Sequence, residues 1–370
     1  MDWIYNVPIK FFEYDLEEFK HRLLEFENQN ILLIASKRLI STFDLKTDDF
    51  NLISNSISNP DINLLNEILN DLTGKPETII AIGGGSTIDL AKAISAFYDY
   101  KDNLDKDKIL DLLKSKEYLD NNEHIPIIAI PTTAGTGSEC TKWATIWDFK
   151  NFKKYSIDAD YLYPKEAWLI PELTLTLPIN LTLSTGLDAL AHATEAYWAV
   201  SSNEYVQALS RVAINIIVEY LPKVVNDLDN LEYRQKMLMG SFFAGLSFSN
   251  TRTTACHSIS YPLTMLFGIN HGYAVAITFF EVLKRNWKYV DDKELFLQAW
   301  NAKNIQDIQE WLNNITSSIQ KLDLASFGVN QKDLNDIVKL ASTGGRMDNN
   351  PIIFNEFEIN DILEKIYKIE

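Results

Sequence analysis

Three short apolar runs in the first half of the chain constrain its fold more than any other feature. Residues 31–35, 78–82 and 125–130 are rich in isoleucine, leucine and alanine, and polar stretches with helical patterns separate them. Compact apolar runs of this length are typical of β-strands, and strands that alternate with helices build a parallel sheet with helices on its faces. The sequence therefore predicts an α/β domain in this half.

The second half of the chain has a different pattern. Long periodic apolar segments such as residues 208–221 and 234–249 indicate helices, and strand signals become rare. The two prolines in residues 171–180 suit a crossover between domains. At 370 residues the chain is long enough for two domains. We expect an α/β domain over residues 1–178 and an all-α domain over residues 179–370.

Charge and composition exclude several classes of function. The formal net charge of −17 would repel nucleic acid and anionic membrane surfaces, so neither partner is expected. No run approaches the roughly 20 apolar residues that cross a bilayer, and residues 1–4 lack the basic start of a signal peptide. Cys140 and Cys256 form no CxxC pair and fit a reducing compartment. We therefore expect a cytoplasmic protein.

A glycine turn follows the second apolar run. Gly83, Gly84 and Gly85 precede Ser86 and a segment with a helical pattern. Glycines let the backbone approach a ligand, and the N–H groups at the start of a helix favour a pyrophosphate. A second loop of glycines and hydroxyl residues, 131–139, follows the third run, where open α/β sheets bind ligands. Two such loops favour a dinucleotide, although a tight structural turn is the alternative for the glycines.

Four side chains in the helical half have the chemistry of a metal site. Asp188 and His192 are four residues apart in a helical segment, so they project from one face, and His257 and His271 follow. Each histidine taken singly is more often a core residue, but together one carboxylate and three imidazoles suit Fe(II) or Zn(II). Two further histidines lie on charged or loop segments and are expected at the surface: His21 and His124.

Four motifs in this order resemble the iron-containing alcohol dehydrogenase superfamily. They are GGGSTIDLAKA, PTTAGTGSE, GLDALAHATEA and the pair of histidines that follows. The resemblance implies an N-terminal dinucleotide-binding domain, a helical metal-binding domain, and a cleft that holds cofactor and metal. It implies four metal ligands, Asp188, His192, His257 and His271. It also implies residues that line the cofactor site: Gly84, Gly85, Ser86, Asp89, Thr132, Thr133, Thr141 and Lys154.

The resemblance further implies a reaction, hydride transfer between a nicotinamide cofactor and a small aldehyde or alcohol, with the metal acting on the oxygen. Relatives that prefer NAD often place an acidic residue after the first predicted strand. This chain has Ser36, Lys37 and Arg38 there, and removal of the carboxylate removes the repulsion of a 2′-phosphate. We expect NADP(H), with NAD(H) as the alternative, and Ser36 as part of the cofactor site. Homodimers or larger oligomers are expected by analogy.

One position departs from the family pattern. Many members carry a histidine four residues after the third ligand, and here that residue is Tyr261. The tyrosine hydroxyl is one candidate for the catalytic proton donor. A water with the cofactor ribose is a second candidate, and a packed aromatic side chain without a catalytic role is the third interpretation.

Residues 253–264 are more similar to the phosphonoacetaldehyde reductase branch than to the propanediol or ethanol enzymes. This similarity implies reduction of phosphonoacetaldehyde to 2-hydroxyethylphosphonate. Arginines suit a dianionic group. The substrate candidates are Arg252, Arg346, Lys142 and Trp143. For the two arginines, an ordinary surface side chain is the alternative interpretation.

Four alternatives to this function are open. A reductase of sulfoacetaldehyde or of a plain short-chain aldehyde differs only in the substrate pocket. A dehydroquinate-synthase-like lyase would need more basic residues around the motifs than this chain has. A catalytically silent protein would not need all four ligands.

Glu195, on the same helical segment as His192, is expected at the helix surface or behind a metal ligand.

Overall fold

The computed structural model describes residues 7–368 apart from 55–56, 122, 152 and 342–345. Gly344 and Gly345, which precede the substrate candidate Arg346, and the opening residues 1–4 therefore lie outside the described residues. The chain forms two compact units. Within the described residues, the α/β unit contains the chain from residue 7 to Thr133 and then Gly137–Thr176, and the helical unit contains Ala134–Thr136 and the chain from Leu177 onward.

The α/β unit is built on a six-stranded sheet in the order β1-β8-β5-β4-β2-β3, in which every neighbouring pair is parallel. A separate antiparallel pair, β6 with β7, completes its strands. The strands are β1 (Lys10–Glu13), β2 (Ile31–Ala35), β3 (Asn51–Ile53), β4 (Thr78–Gly83), β5 (Ile127–Pro131), β6 (Trp143–Asp148), β7 (Lys153–Asp158) and β8 (Glu166–Leu169). The helices are α1 (Leu16–Leu24), α2 (Lys37–Phe43), α3 (Ile62–Asp71), α4 (Gly85–Phe97) and α5 (Lys106–Ser115).

Both faces of the six-stranded sheet are buried. Leu32 and Ile34 of β2 pack into the core on one face, whereas Ile31 and Leu33 pack into the core on the other face. Because both sides of a parallel strand face helices, its sequence is apolar without alternation. This is why the central strands could be recognised as continuous apolar runs, and the predicted α/β class of this part is confirmed.

The three predicted strands agree with β2, β4 and β5 to within two residues at each end, whereas the remaining strands were not predicted: β1, β3, β6, β7 and β8. The third run was placed at residues 125–130, but β5 begins two residues later, because Pro126 has no N–H to donate to a ladder. The prediction also lacked the pair β6 and β7. Lys153 in β7 is exposed, and a strand with polar positions exposed to solvent does not give a continuous apolar run.

The helical unit consists of long helices around one apolar core. Its helices are α6 (Ile179–Trp198), α7 (Glu204–Asn226), α8 (Leu231–Ser249), α9 (Ala255–Phe267), α10 (His271–Asn286), α11 (Lys293–Ala299), α12 (Ile305–Thr316), α13 (Leu334–Ala341) and α14 (Glu356–Lys365). Helix α6 is buried along almost its whole length and packs against α7, α8 and α10. A helix that is buried all round lies at the centre of a core, so polar side chains on α6 need partners inside the protein. The predicted all-α class of this part is confirmed.

No helix in the described part of the chain is long and apolar enough to span a bilayer.

Candidate metal centre

Three ionisable side chains project from one face of α6 into the core of the helical unit. Asp188, His192 and Glu195 are spaced by four and then three residues, which places them above one another on a helix. Their exposed fractions are 3%, 6% and 0%. Charged groups are rarely buried to this degree without a partner or a bound ion, so the arrangement indicates a built site.

His192 is held in one ring orientation. Its Nδ1 lies 3.2 Å from the carbonyl oxygen of Gly135, so an Nδ1–H donates to that carbonyl. A side chain at Gly135 would collide with Thr185, since a Cβ there would lie 2.7 Å from Thr185 Cβ. The ring stacks on those of Phe248 and His257, with distances between ring centres of 4.2 Å and 4.4 Å respectively. The bond to Gly135 leaves Nε2 as the nitrogen with a free lone pair.

His257, on α9, is oriented by Glu195. Its Nδ1 makes a short hydrogen bond with Glu195 Oε2. The other oxygen of Glu195, Oε1, accepts from Thr254 Oγ1 at 2.8 Å and from the backbone N–H of Cys256 at 2.7 Å. Trp198 Nε1 in turn donates to Thr254 Oγ1 at 2.9 Å. A carboxylate on Nδ1 fixes the tautomer and directs Nε2 toward a metal.

The electrostatics keep Asp188 and Glu195 ionised and His192 neutral; burial would also lower the pKa of His257, but the charges of Glu195 and Asp188 outweigh burial and raise that pKa in the metal-free chain. Burial raises the pKa of Asp188, but the charges of His192 and His271 and the contact with His257 outweigh burial and hold that pKa well below its usual range. Burial lowers the pKa of His192 to about 4, despite the opposing charge of Asp188. For Glu195, burial is outweighed by His257, which lowers the pKa to about 2. An ionised carboxylate beside a neutral imidazole is the donor set that a divalent ion requires.

Two buried atoms at the centre of this group have no hydrogen bond within the described residues. They are Oδ1 of Asp188 and Nε2 of His257, which lie 3.4 Å from each other. One ligand atom from each of Asp188, His192 and His257 lies within 4.8 Å of the other two. Unsatisfied buried polar atoms are rare in folded proteins. Converging unsatisfied oxygen and nitrogen donors fit Fe(II) or Zn(II), and we call these three residues with Glu195 the His–Asp cluster.

His271, the fourth expected ligand, lies at the edge of this group. Its Nε2 is 3.7 Å from Asp188 Oδ1, and its ring centre is 5.4 Å from that of His257. It is not part of the mutually close set of three, and its side chain is 38% exposed. The next residue, Gly272, lets α10 approach α6, because a Cβ there would lie 1.9 Å from the carbonyl oxygen of Ser184. The close approach brings His271 beside Asp188.

The expected pyrophosphate site is an uncapped helix start. Gly84 is the N-cap of α4, and no side chain in the described chain caps this helix. A Cβ at Gly84 would lie 3.3 Å from Thr133. Ser86 Oγ accepts from the N–H of Asn59 at 3.2 Å, and the N–H of Thr132 donates to the Gly83 carbonyl at 3.0 Å. Free N–H groups at a helix start with little side-chain bulk fit a phosphate group.

Asp89 and Thr141, two expected cofactor residues, belong to a buried network around Lys92. Lys92 is 0% exposed, and its Nζ has four oxygens within hydrogen-bond distance for its three N–H groups: Ser138 O at 2.7 Å, Ser138 Oγ at 3.0 Å, Thr141 Oγ1 at 3.3 Å and Trp143 O at 2.9 Å. Asp89 Oδ1 accepts from Ser138 Oγ at 2.7 Å. We call these five residues the lysine cluster.

The second oxygen of Asp89 is also occupied, since Oδ2 accepts from the N–H of Thr145 at 2.9 Å. The two carboxylate oxygens of Asp89 therefore hold Ser138, in the loop between β5 and β6, and Thr145, in β6. Glu139 lies in the same loop and is buried. Burial raises the pKa of Glu139 to about 7, against the opposing effects of its own backbone N–H and of Lys92.

Three further residues expected at the ligand sites have partners inside the α/β unit. Ser36 caps α2 through a hydrogen bond that its Oγ accepts from the N–H of Leu39. Lys142 Nζ pairs with Asp158 at 3.3 Å and with Asp160 at 2.7 Å. The Nζ of Lys154 lies 5.5 Å from the centre of the Trp147 ring. The ion pairs of Lys142 satisfy its charge without a substrate.

The substrate candidates of the helical unit lie near the His–Asp cluster. Arg252 follows α8, four residues after Phe248, whose ring stacks on His192. Burial lowers the pKa of Arg346, and Glu195 is close enough for its charge to oppose that shift without outweighing it. Tyr261 lies one helical turn after His257 on α9.

Family models match both halves of the chain. A model described as iron-containing alcohol dehydrogenase matches residues 8–171, and a model described as Fe-containing alcohol dehydrogenase family, C-terminal, matches residues 182–367. The chain belongs to the iron-containing alcohol dehydrogenase family. The resemblance that the four motifs indicate is thereby confirmed.

Individual members of the family differ in substrate. The aldehyde-alcohol dehydrogenase of Streptococcus pneumoniae is 34% identical over 77% of this chain, and the match spans 34% of that protein's length. The phosphonoacetaldehyde reductase of Streptomyces viridochromogenes is 34% identical over 57% of this chain and 54% of its own length. A crystal structure of sulfoacetaldehyde reductase from Bifidobacterium kashiwanohense in complex with NAD+ has a TM-score of 0.88 to this chain, at 25% identity over 100% of both chains.

Sequence reasoning missed Lys92 and left two alternatives open for Glu195. Glu195 was expected at the helix surface or behind a ligand; the surface interpretation is wrong, since its carboxylate is fully buried against His257. Its spacing of seven residues from Asp188 was the available signal. Lys92 gave no signal, because its acceptors come from a loop 46 to 51 residues later in the chain.

Proposed function

We propose that this chain is a metal-dependent NAD(P)H reductase of a small aldehyde, with phosphonoacetaldehyde as substrate and 2-hydroxyethylphosphonate as product. The observation that carries the proposal is the pair of buried atoms without hydrogen bonds, Asp188 Oδ1 and His257 Nε2. A buried polar atom that lacks a partner is unfavourable unless a ligand completes it. Family membership supports a dehydrogenase chemistry for such a ligand set.

Asp188, His192 and His257 would hold the metal, and His271 would join them from the start of α10. A bound Fe(II) or Zn(II) supplies a Lewis acid for the carbonyl oxygen, and a bound nicotinamide supplies the hydride. The side chains of the protein orient the ligand atoms. The Gly135 carbonyl holds one imidazole and Glu195 holds the other, so both present Nε2.

Tyr261 is our proposed proton donor. Burial raises the pKa of Tyr261, which keeps its hydroxyl protonated at neutral pH. A protonated hydroxyl can donate to an alkoxide as it forms. The residue follows His257 by four positions on α9, so the two side chains lie on the same face of that helix.

The uncapped start of α4 would bind the cofactor pyrophosphate, near Gly84, Gly85 and Ser86. For the adenosine end we propose NADP(H). Lys37 and Arg38 in the first turn of α2 are exposed and available to a 2′-phosphate, and no acidic residue lies in that turn. NAD(H) is the alternative, which the NAD+ complex of the sulfoacetaldehyde reductase supports.

Two observations support phosphonoacetaldehyde over an uncharged aldehyde. Residues 253–264 are similar to the corresponding segment of phosphonoacetaldehyde reductases, one of which is 34% identical over 57% of this chain. Two arginines, Arg252 and Arg346, are near the His–Asp cluster. Sulfoacetaldehyde is the second candidate, because a solved reductase for that substrate matches the whole chain at 25% identity.

The test is the rate of NADPH and NADH oxidation by iron-loaded and zinc-loaded protein with three aldehydes: phosphonoacetaldehyde, sulfoacetaldehyde and propanal. We expect the highest kcat/KM for phosphonoacetaldehyde with NADPH. Equal or faster turnover of propanal would contradict the substrate assignment and leave a general aldehyde reductase. Absence of turnover with every aldehyde in the metal-loaded protein would contradict the reductase itself.

A further inference from the structure

Arg346 is a partly buried arginine with no hydrogen-bond partner among the residues that the structure describes. Burial lowers the pKa of its guanidinium, the charge of Glu195 raises that pKa, and the charge of Arg252 lowers it again. A guanidinium that is partly removed from water and has no acceptor among the described residues is unfavourable. An anion bound to Arg346 would supply the missing acceptor.

Arg252 is held by a strained turn at the end of α8. Its φ of +67° lies in the left-handed region, which residues other than glycine rarely adopt. The N–H of Arg252 donates to the Phe248 carbonyl at 2.7 Å, and the Phe248 ring stacks on His192 at 4.2 Å. Strain of this kind persists where surrounding contacts impose it, often beside a ligand. The turn therefore places Arg252, whose side chain is exposed, beside Phe248, the residue that packs on His192.

Asn349 joins the segments that carry the two arginines. Its Nδ2 donates to the carbonyls of Thr251 at 2.7 Å and Thr253 at 3.2 Å, the residues on either side of Arg252. Its backbone N–H donates to the Arg346 carbonyl at 3.1 Å. One amide side chain therefore imposes the turn at Arg252 and lies three residues from Arg346, although the two arginines are far apart in the sequence.

We propose that Arg252 and Arg346 form the subsite for the anionic group of the substrate, and that Asn349 positions both arginines. The inference rests on the proposed function, since it assigns residues to the group that distinguishes phosphonoacetaldehyde from a plain aldehyde. A guanidinium matches the oxygens of a phosphonate with two parallel hydrogen bonds. Two guanidinium groups within each other's field repel, so a dianion between them is favoured over a monoanion and far over a neutral group.

Binding of methylphosphonate to the metal-free protein tests the subsite without turnover. Calorimetric titration would be done in a buffer alkaline enough to make the phosphonate a dianion. Hydrogen bonds to charged groups contribute about 1.5–3 kcal/mol, so Arg346→Gln and Arg252→Gln should each weaken binding roughly tenfold to a hundredfold. Arg22→Gln, the same change in an exposed ion pair on α1, is the matched control and should bind like the wild type.

Two results would overturn the subsite: wild-type protein that does not bind methylphosphonate, or an Arg346→Gln variant that binds it as tightly as the wild type. Kinetics separate this failure from failure of the proposed function. Wild-type turnover of phosphonoacetaldehyde with unchanged KM in both arginine variants would refute the subsite alone. Methylphosphonate binding that is lost in Arg346→Gln, in an enzyme that prefers propanal, would refute the proposed substrate and support an anion subsite.

Asn349→Ala tests the positioning role. We expect a rise in KM for phosphonoacetaldehyde of about tenfold, with kcat and the KM for propanal within about twofold of the wild type, since the change affects ground-state binding of one group only. Equal effects on propanal and phosphonoacetaldehyde would show a general structural role for Asn349 and would refute this part of the proposal.

Discussion

The His–Asp cluster and the lysine cluster bury charges to a similar depth, but they differ in how the charges are satisfied. Lys92 Nζ has four acceptors, and both oxygens of Asp89 accept hydrogen bonds. In the His–Asp cluster, Asp188 Oδ1 and His257 Nε2 have no hydrogen bond within the described residues. Complete networks rigidify a fold, whereas incomplete networks require a ligand. Depth of burial alone does not distinguish these roles, but the hydrogen bonding of the ionisable side chains does.

The largest effect that this comparison predicts is on catalysis by Asp188→Asn. Loss of one anionic ligand should lower kcat/KM by about a thousandfold or more, because a bound Lewis acid lowers the activation free energy by several kcal/mol. The free energy of unfolding of the metal-free variant should fall by no more than about 1–2 kcal/mol, since the carboxylate loses its attraction to the neighbouring histidines but Oδ1 has no hydrogen bond to lose within the described residues. Steady-state kinetics and urea denaturation would measure the two effects.

Unfolding of Asp188→Asn at much lower urea concentration than the metal-free wild type would contradict the idea that this cluster is incomplete without a ligand.

Lys92→Met should give the opposite result. Removal of the ammonium leaves the buried charge of Asp89 without its neighbouring cation and several oxygens without a donor, and breaking a buried charged network typically costs about 3–5 kcal/mol. We expect the free energy of unfolding to fall by that amount, as measured by denaturation. Lys339→Met, which removes a lysine from an exposed pair with Asp336, is the control and should change stability by less than about 1 kcal/mol. A loss of unfolding free energy in Lys92→Met no larger than that in Lys339→Met would contradict the structural role of the lysine cluster.

Glu195→Gln should weaken metal binding about tenfold to a hundredfold. The amide oxygen can still accept from Thr254 and Cys256, and its NH2 group would then face Nδ1 of His257. That nitrogen must become the acceptor, so the proton moves to Nε2 and blocks the lone pair that binds the metal. Competition with a chelator would give the dissociation constant for zinc. The control is Glu281→Gln, a carboxylate on α10 that pairs with Lys284 and Arg285; unchanged zinc affinity in Glu195→Gln would exclude the tautomer mechanism.

The smallest effect concerns pH. Burial raises the pKa of Glu139 to about 7 in the folded chain, above its unfolded value of about 4.3. The folded state therefore binds the proton more tightly, and this contribution to stability is present below the unfolded pKa and is lost as pH rises toward 7. We expect the difference in unfolding free energy between wild type and Glu139→Gln to change with a slope of up to about 1.4 kcal/mol per pH unit in this window. A pH-independent difference would refute the raised pKa.

The sequence predicted those parts of the molecule that depend on local pattern. Residues 31–35 and 78–82 form strands as expected because both faces of the sheet are buried. Three of the four expected metal ligands, Asp188, His192 and His257, come together, and His271 lies at the edge of the group beside Asp188. The pair β6 and β7 was missed because polar positions break its apolar pattern. The partners of Lys92 and Glu195 were missed because long-range packing, which a local pattern does not encode, decides which buried charge meets which acceptor.

The contact between Gly272 and Ser184 fixes the dimensions of the ligand set. There, α10 meets the carbonyl oxygen of α6 so closely that a single added carbon would lie 1.9 Å from it. Backbone against backbone offers no rotamer that could yield, so α10 cannot move nearer to α6 when a smaller cation binds. Discrimination between ions of different radius must come from rotation of the Asp188 and His271 side chains about a rigid frame. Exchange of the metal should therefore alter coordination geometry and leave the helix spacing unchanged.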